Sequence, residues 1–147
     1  MAVMHSPLDQ SFTYRLHLLH KVSDHESHKA YVGGVGLSMG EARCLATVGS
    51  FEPMSVMDLA DKANLNKGQA SRAAQVLVDK GLLAKKDNPD DARGVALTLT
   101  VKGRKLWAPT MQLIEARNQQ ILACLSTDEQ ATLSQWLDRL IAHNVKK

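Results

Sequence analysis

The sequence predicts a mainly α fold with one small β-hairpin, and three observations carry that prediction. Four short polar pairs at i, i+3 (Ser38/Glu41, Ser55/Asp58, Asn66/Gln69 and Ser126/Glu129) stand directly before runs with helical apolar spacing. Such pairs satisfy the backbone N–H groups that a helix start leaves open. Two short strand-like runs, Leu82–Lys86 and Val95–Leu99, flank the turn-rich Asp87-Asn88-Pro89-Asp90-Asp91. The second run alternates apolar with polar or small residues. Apolar side chains at helical spacing also crowd the last third of the chain.

The first helix is expected from Leu8 to about Ala30. On a wheel starting at Phe12, residues Leu16, Leu18, Leu19 and Val22 share a broad apolar face with it, and His17, Lys21, Asp24 and His28 lie opposite. Gly33, Gly34 and Gly36 are expected to break this helix. Ser38 then caps a second, which ends near Gly49. Ser55 opens a short helix from Val56 to about Ala63, with Leu59 and Ala60 facing inward. Asn64-Leu65-Asn66 forms a tight connection. Asn66 and Gln69 open a helix that runs to Lys80 and stops at Gly81, burying Ala70, Ala73, Ala74 and Leu77. Two short capped helices joined by a three-residue turn, the second with a small buried face, make a helix-turn-helix. The hairpin that follows forms a wing. A long helix is expected from Val101 to about Leu125, bent at Pro109, and a last one from Ser126 to near His143.

The chain has 147 residues, 44% hydrophobic and 22% charged, values typical of a folded protein and too apolar for a disordered one. It has no run of 18 uncharged apolar residues and no signal-peptide pattern at its start, so a cytoplasmic protein without a membrane span is expected. Net charge is +3, but residues 53–105 hold ten Lys/Arg against six Asp/Glu, and the remainder holds eight against nine. The excess positive charge therefore lies in the middle third of the chain, the pattern expected if this segment faces phosphates. No Ser/Cys-His-acid set or phosphate loop appears, so no catalytic residue and no cofactor is expected.

The outward face of the helix from Asn66 carries Lys67, Gly68, Gln69, Ser71, Arg72 and Gln75. Arginine pairs bidentately with guanine and glutamine with adenine, whereas serine serves either. Gly68 leaves room for close backbone approach to a phosphate at a helix start. Lys85 and Lys86 are placed to meet the DNA backbone. Arg93, oriented by Asp91, is suited to a narrow minor groove. An exposed helix surface and a plain surface ion pair are the simpler readings of the same residues.

The run LSMGEARCLATV, followed by SVMDLADKANLNKGQASRAAQVLVDKGLLAKKDNPDDARGVALTLTVKGRKL, resembles the MarR family of bacterial transcription regulators. The resemblance rests on the LAD-type helix, the SR within the next helix, the KGLL exit, the DxR wing tip and the LTxxG strand end. It covers about Leu37 to Leu106. Gly94, where a polar residue is common, and Ala73-Ala74, where bulkier ones are, depart from the pattern. The resemblance implies a dimerisation helix at 1–36, a winged helix-turn-helix at 37–100 and dimerisation helices at 101–147. It implies a homodimer on a pseudo-palindromic DNA operator, acting as a repressor and released by a small aromatic acid. The apolar set Leu106, Trp107, Met111, Leu113, Ile114, Ile121, Leu122, Leu125, Leu133, Trp136, Leu137, Leu140 and Ile141 agrees, being more than a lone winged helix covers.

For an effector, the resemblance favours a pocket between the dimer helices and the DNA-binding lobe, with Arg15, His17, His20, Met39 and Arg43 as liners. Arg15 falls within the apolar face of the first helix, so it calls for an anionic partner: a carboxylate of the protein or that of a ligand. The chain is also similar to regulators of nicotinic-acid degradation, which implies a hydroxylated nicotinate. His20, Asp24 and His28 at i, i+4, i+8 have zinc-ligand chemistry, although such a stripe is more often a solvated face, and no metal site is assigned. Cys44 reads as a buried small hydrophobe and Cys124 as the better redox candidate. The alternatives are a metal- or redox-sensing regulator of the same fold, and a winged-helix module for protein or RNA contact without an operator.

Overall fold

The computed structural model describes residues 7–87 and 94–145. Six helices and a hairpin follow in order: α1 Phe12–Val35, α2 Met39–Phe51, α3 Val56–Lys62, α4 Lys67–Asp79, β1 Leu83–Asp87, β2 Val95–Leu99, α5 Val101–Leu122 and α6 Thr127–Asn144. The mainly α architecture with a small antiparallel wing is as expected. None of the described helices is long and apolar enough to cross a membrane. Residues 1–114 and 115–147 form two compact units, divided within α5.

In the first unit the core is built on α2, whose Ala42, Cys44, Leu45, Ala46, Thr47 and Val48 are all buried. Leu59 of α3, Ala70, Ala74 and Leu77 of α4, and Leu97 of β2 close around it. All four predicted caps form: Ser38, Ser55, Asn66 and Ser126 each accept the N–H three residues on. Asn64 takes a left-handed φ of 57° in the turn before α4, a conformation asparagine tolerates better than most residues. Gly81, at φ 74°, ends α4 in a Schellman arrangement. There the Leu82 N–H donates to the Leu77 carbonyl and the Gly81 N–H to that of Val78.

Several boundaries differ from expectation. Gly33 and Gly34 do not break α1, which continues to Val35; only Gly36 takes the helix-ending left-handed geometry, at φ 69°. Gly34 instead makes room for α5, since a Cβ there would lie 2.6 Å from Leu113 Cδ1. Gly49 does not end α2 either. The Trp107 indole occupies the place of its missing side chain, donating from Nε1 to the Ala46 carbonyl at 3.1 Å. Met54, outside any predicted strand, exchanges backbone hydrogen bonds with Leu97 and so widens the hairpin.

The hairpin pairs Leu83 with Leu99 through Asp87 with Val95. Its base is tied to α5: Thr100 Oγ1 accepts from Gly103 N and donates to the Gly81 carbonyl at 2.6 Å. Glu52 accepts from Leu99 N and pairs with Arg104. The helix passes without interruption through Pro109. In the second unit α5 ends at Leu122 rather than Leu125, because Gln130 Nε2 donates to the Leu122 and Leu125 carbonyls and closes a turn before α6. No α6 residue is buried, and Trp136, Leu137, Leu140 and Ile141 are exposed.

Candidate nucleic-acid interface

Helix α4 is positioned by two devices that the sequence encodes locally. Asn66 Oδ1 accepts from Gln69 N at 2.8 Å while Gln69 Oε1 accepts from Asn66 N at 3.1 Å, closing the first turn. Ala70, Ala74 and Leu77 then fix the rotation of the helix by burial, with Ala73 half-buried. With that face inside, Lys67, Gly68, Gln69, Ser71, Arg72 and Gln75 are all exposed, as predicted.

These six are not equally available. Gln69 spends its carbonyl oxygen on the cap. Gln75 is engaged at both ends of its amide: Oε1 accepts from Lys85 Nζ at 2.7 Å, and Nε2 donates to Asp79 Oδ1 at 2.9 Å. Arg72 makes no hydrogen bond or ion pair with any described residue, and its guanidinium folds back over Gly68. A Cβ at Gly68 would lie 3.2 Å from Arg72 Nη1, so the glycine keeps that space open. Beside it, Ser38, Gly40 and Glu41 at the start of α2 face Gln69, Arg72, Ala73 and Val76 across a shallow recess of about 240 Å³. The exposed outer surface of α4 thus presents a guanidinium uncommitted among the described residues. Lys86, next to Lys85 on β1, is exposed as well. Asp91 and Arg93, the predicted wing-tip pair, lie outside the described residues.

The far end of α4 is tied down by a pair that sequence reading missed. Lys80 Nζ lies 2.7 Å from Glu41 Oε1 and reaches the Gly36 carbonyl at 3.4 Å, linking the end of α4 to the turn between α1 and α2. Ser38 donates to the other Glu41 oxygen at 2.6 Å. Burial alone would raise the Glu41 pKa. The hydrogen bonds from Lys80 and Ser38, with the ammonium charge, outweigh it and hold the carboxyl below its ordinary value. The two residues stand 39 positions apart, so no local pattern points to the pair.

The predicted effector residues lie on α1 (Arg15, His17, His20) and α2 (Met39, Arg43). Arg15, placed by sequence within a covered apolar face, is exposed, as are its neighbours Leu16, Leu18, Leu19 and Val22. Within this chain it therefore needs no buried anionic partner. His17 is exposed, and His20 Nε2 meets Asp24 Oδ2 at 2.9 Å. Arg43 is half-buried on α2. Met39 lines an open hollow of about 760 Å³ with Lys21, Val22, Asp24, His25, Glu26 and His28, none of which was among the predicted liners. The i, i+4 spacing of Asp24 and His28 was the available signal. Among the described residues, no three His, Cys, Asp or Glu side chains converge as a metal site requires. Burial pushes the Cys44 thiol up to about 11, leaving it protonated and unreactive at neutral pH. Cys124 is exposed.

A family model described as the MarR family matches residues 35–94, from the end of α1 into the wing. An uncharacterised helix-turn-helix transcriptional regulator of Bacillus subtilis, YxaD, is 30% identical over 96 residues, covering 65% of this chain and 67% of that protein. The Mycobacterium tuberculosis transcriptional repressor Rv2887 is 25% identical over 111 residues, 76% of this chain and 80% of its own. Its crystal structure with salicylic acid aligns at a TM-score of 0.72 and 25% identity, covering 90% of this chain and 97% of that one. A point mutant of Escherichia coli MarR in complex with operator DNA has the same fold, with a TM-score of 0.80 at 21% identity, covering 93% and 99%.

Proposed function

This chain belongs to the MarR family of transcription regulators, and from that membership we propose that it is a ligand-responsive repressor that binds a pseudo-palindromic DNA operator as a homodimer in the cytoplasm. The observation that carries the DNA-binding reading is the outer face of α4. A capped helix, rotationally fixed by its alanine face, holds beside Gly68 an Arg72 guanidinium that no described residue pairs with. An unpaired guanidinium on an exposed helix is chemistry suited to a guanine edge, where it makes two parallel hydrogen bonds. Lys67, Ser71, Lys85 and Lys86 supply the surrounding phosphate contacts, and Asp91 with Arg93 supplies the minor-groove contact of the wing.

The homodimer rests on uncovered apolar surface. Phe12, Leu16, Leu19 and Val22 on α1 and Trp136, Leu137, Leu140 and Ile141 on α6 are each between 42% and 59% exposed. Exposed apolar faces of that kind, on each helix, mark an association surface. Two copies related by a two-fold axis would set their α4 helices into successive major grooves.

For the effector we propose a small aromatic carboxylate, a hydroxylated nicotinate being the narrower form of that chemistry. The salicylic acid complex of Rv2887 supports the class. The hollow lined by Met39 and Val22 together with Lys21, His25, His28, Asp24 and Glu26 offers apolar surface and, in the lysine and histidines, groups able to face a carboxylate. A redox-sensing role through Cys44 is disfavoured by its raised pKa.

The test is binding of the purified protein to promoter fragments, including the one upstream of its own gene, by fluorescence anisotropy from 50 to 200 mM salt. The expected result is a sequence-preferring complex whose affinity falls steeply with salt. Arg72→Ala then loses about ten- to a hundredfold on the operator while keeping its affinity for random duplex. An unchanged operator footprint in that variant overturns the docking mode.

A further inference from the structure

Sequence chemistry puts Gln75 among the base readers, but the fold has already engaged it. Its carbonyl oxygen accepts from the Lys85 ammonium on β1, and its amide nitrogen donates to the Asp79 carboxylate one turn further along α4. An ammonium only donates and an ionised carboxylate only accepts, so a single orientation of the amide satisfies both. Pairing with an adenine edge would consume the same oxygen and the same NH₂ group, and both bonds to charged partners would have to break. Lys85 is under no such conflict. Its ammonium has three donors and, among the described residues, gives one to Gln75, so it can still donate to a phosphate. Lys86, whose side chain points to the opposite side of the strand, makes no contact of this kind with a described residue.

We propose that Gln75 is a positioning residue, which seats the Lys85 ammonium beside α4 as a fixed phosphate contact and ties the wing strand to the helix, and that it reads no base. The inference rests on the DNA-binding reading above. Base discrimination from α4 then falls to Arg72 and its neighbours in the first two turns. Lys85 and Lys86 become unequal despite their adjacency, because one is held before DNA arrives and the other must be ordered at that moment.

The test uses the full chain with Gln75→Met, which keeps the side chain's length without its amide, together with Lys85→Met, Lys86→Met and the Gln75→Met/Lys85→Met double variant. Affinities are measured for the operator, for operators substituted at each base pair, and for a scrambled duplex. Gln75→Met is expected to weaken operator and scrambled duplex by the same factor, about three- to tenfold, with the preference at every base pair kept. In the Lys85→Met background it should add less than about twofold. Lys85→Met should lower the salt slope by about 1 and cost more affinity than Lys86→Met. In the DNA-free protein, Lys85→Met should shift the Gln75 side-chain amide resonances, a readout independent of any operator. Loss of preference at a single base pair in Gln75→Met, or multiplicative effects of the two substitutions, overturns the proposal. If the wild-type chain fails to distinguish operator from scrambled duplex, the DNA-binding reading itself falls and takes the role of Gln75 with it. An amide shift would then still report the bridge in the free protein.

Discussion

Lys80→Met removes the ammonium that joins the end of α4 to the start of α2, and keeps most of the methylene stem. The Nζ–Oε1 distance is 2.7 Å, and the two side chains are 43% and 16% exposed. Fully buried hydrogen bonds to charged groups contribute about 1.5–3 kcal/mol, and exposed ion pairs about 0–1 kcal/mol. Because Lys80 is well exposed but Glu41 is not, screening places the pair at the top of the exposed range, at about 1 kcal/mol. For a chain of this length that corresponds to a fall in Tm of about 3–4 °C. The pH dependence identifies the source. The Glu41 pKa is depressed in the folded protein, so its contribution is fully present above the unfolded value of about 4.5. It is lost as pH falls through the folded value. Urea unfolding of wild type and Lys80→Met from pH 7 to pH 3 should therefore show the full gap at neutral pH and convergence in acid. A gap of the same size at every pH refutes the ion-pair account and assigns the loss to the lysine stem or its contact with the Gly36 carbonyl.

Gly103→Ala should be strongly destabilising, by about 3 kcal/mol or more, because its Cβ would stand 2.0 Å from the Leu82 backbone carbonyl oxygen, which cannot swing away as a side chain would. Thermal unfolding measures this, and a change within about 0.5 kcal/mol would contradict the close approach. Cys44, with its pKa near 11, should alkylate on the order of a hundredfold more slowly than free cysteine at pH 8, its rate rising with pH, as mass spectrometry after iodoacetamide would show. Comparable labelling at pH 8 would mean that the thiol is accessible and ionised. Leu140→Asp, on the exposed face of α6, should convert the proposed homodimer to single chains in sedimentation velocity. An unchanged sedimentation coefficient would place the association surface elsewhere.

Much of the fold was legible because it is locally encoded. Each helix start from α2 to α4, and that of α6, is written within four consecutive residues as a side chain that accepts the N–H three positions on. Ser38, Ser55, Asn66 and Ser126 therefore needed no knowledge of the rest of the chain. The hairpin was equally readable from its alternation, and the exposed polar face of α4 followed from the spacing of Ala70, Ala74 and Leu77 on the other side. The glycines were misread for the opposite reason. Gly34 and Gly49 look like helix terminators in isolation, yet each is a place where Leu113 or Trp107 from α5 presses against helix backbone. That use of a glycine depends on a partner about sixty positions or more away, and nothing adjacent to it announces the partner.

The candidate site divides along the same line. Sequence alone determined which residue types line α4, where the helix begins and ends, and that positive charge gathers in the middle third. These are properties of composition and short-range spacing. Only the tertiary structure decided which of those residues are uncommitted. Gln75 and Arg72 are both exposed and polar, but β1 lies close enough for Lys85 to take up the first, whereas no described residue pairs with the second. It likewise decided that Arg15 is exposed and that Lys80 finds Glu41. A helix periodicity orders side chains around an axis, but how many of their hydrogen bonds remain free depends on which other elements come within about 3 Å, and that is a property of the folded chain as a whole.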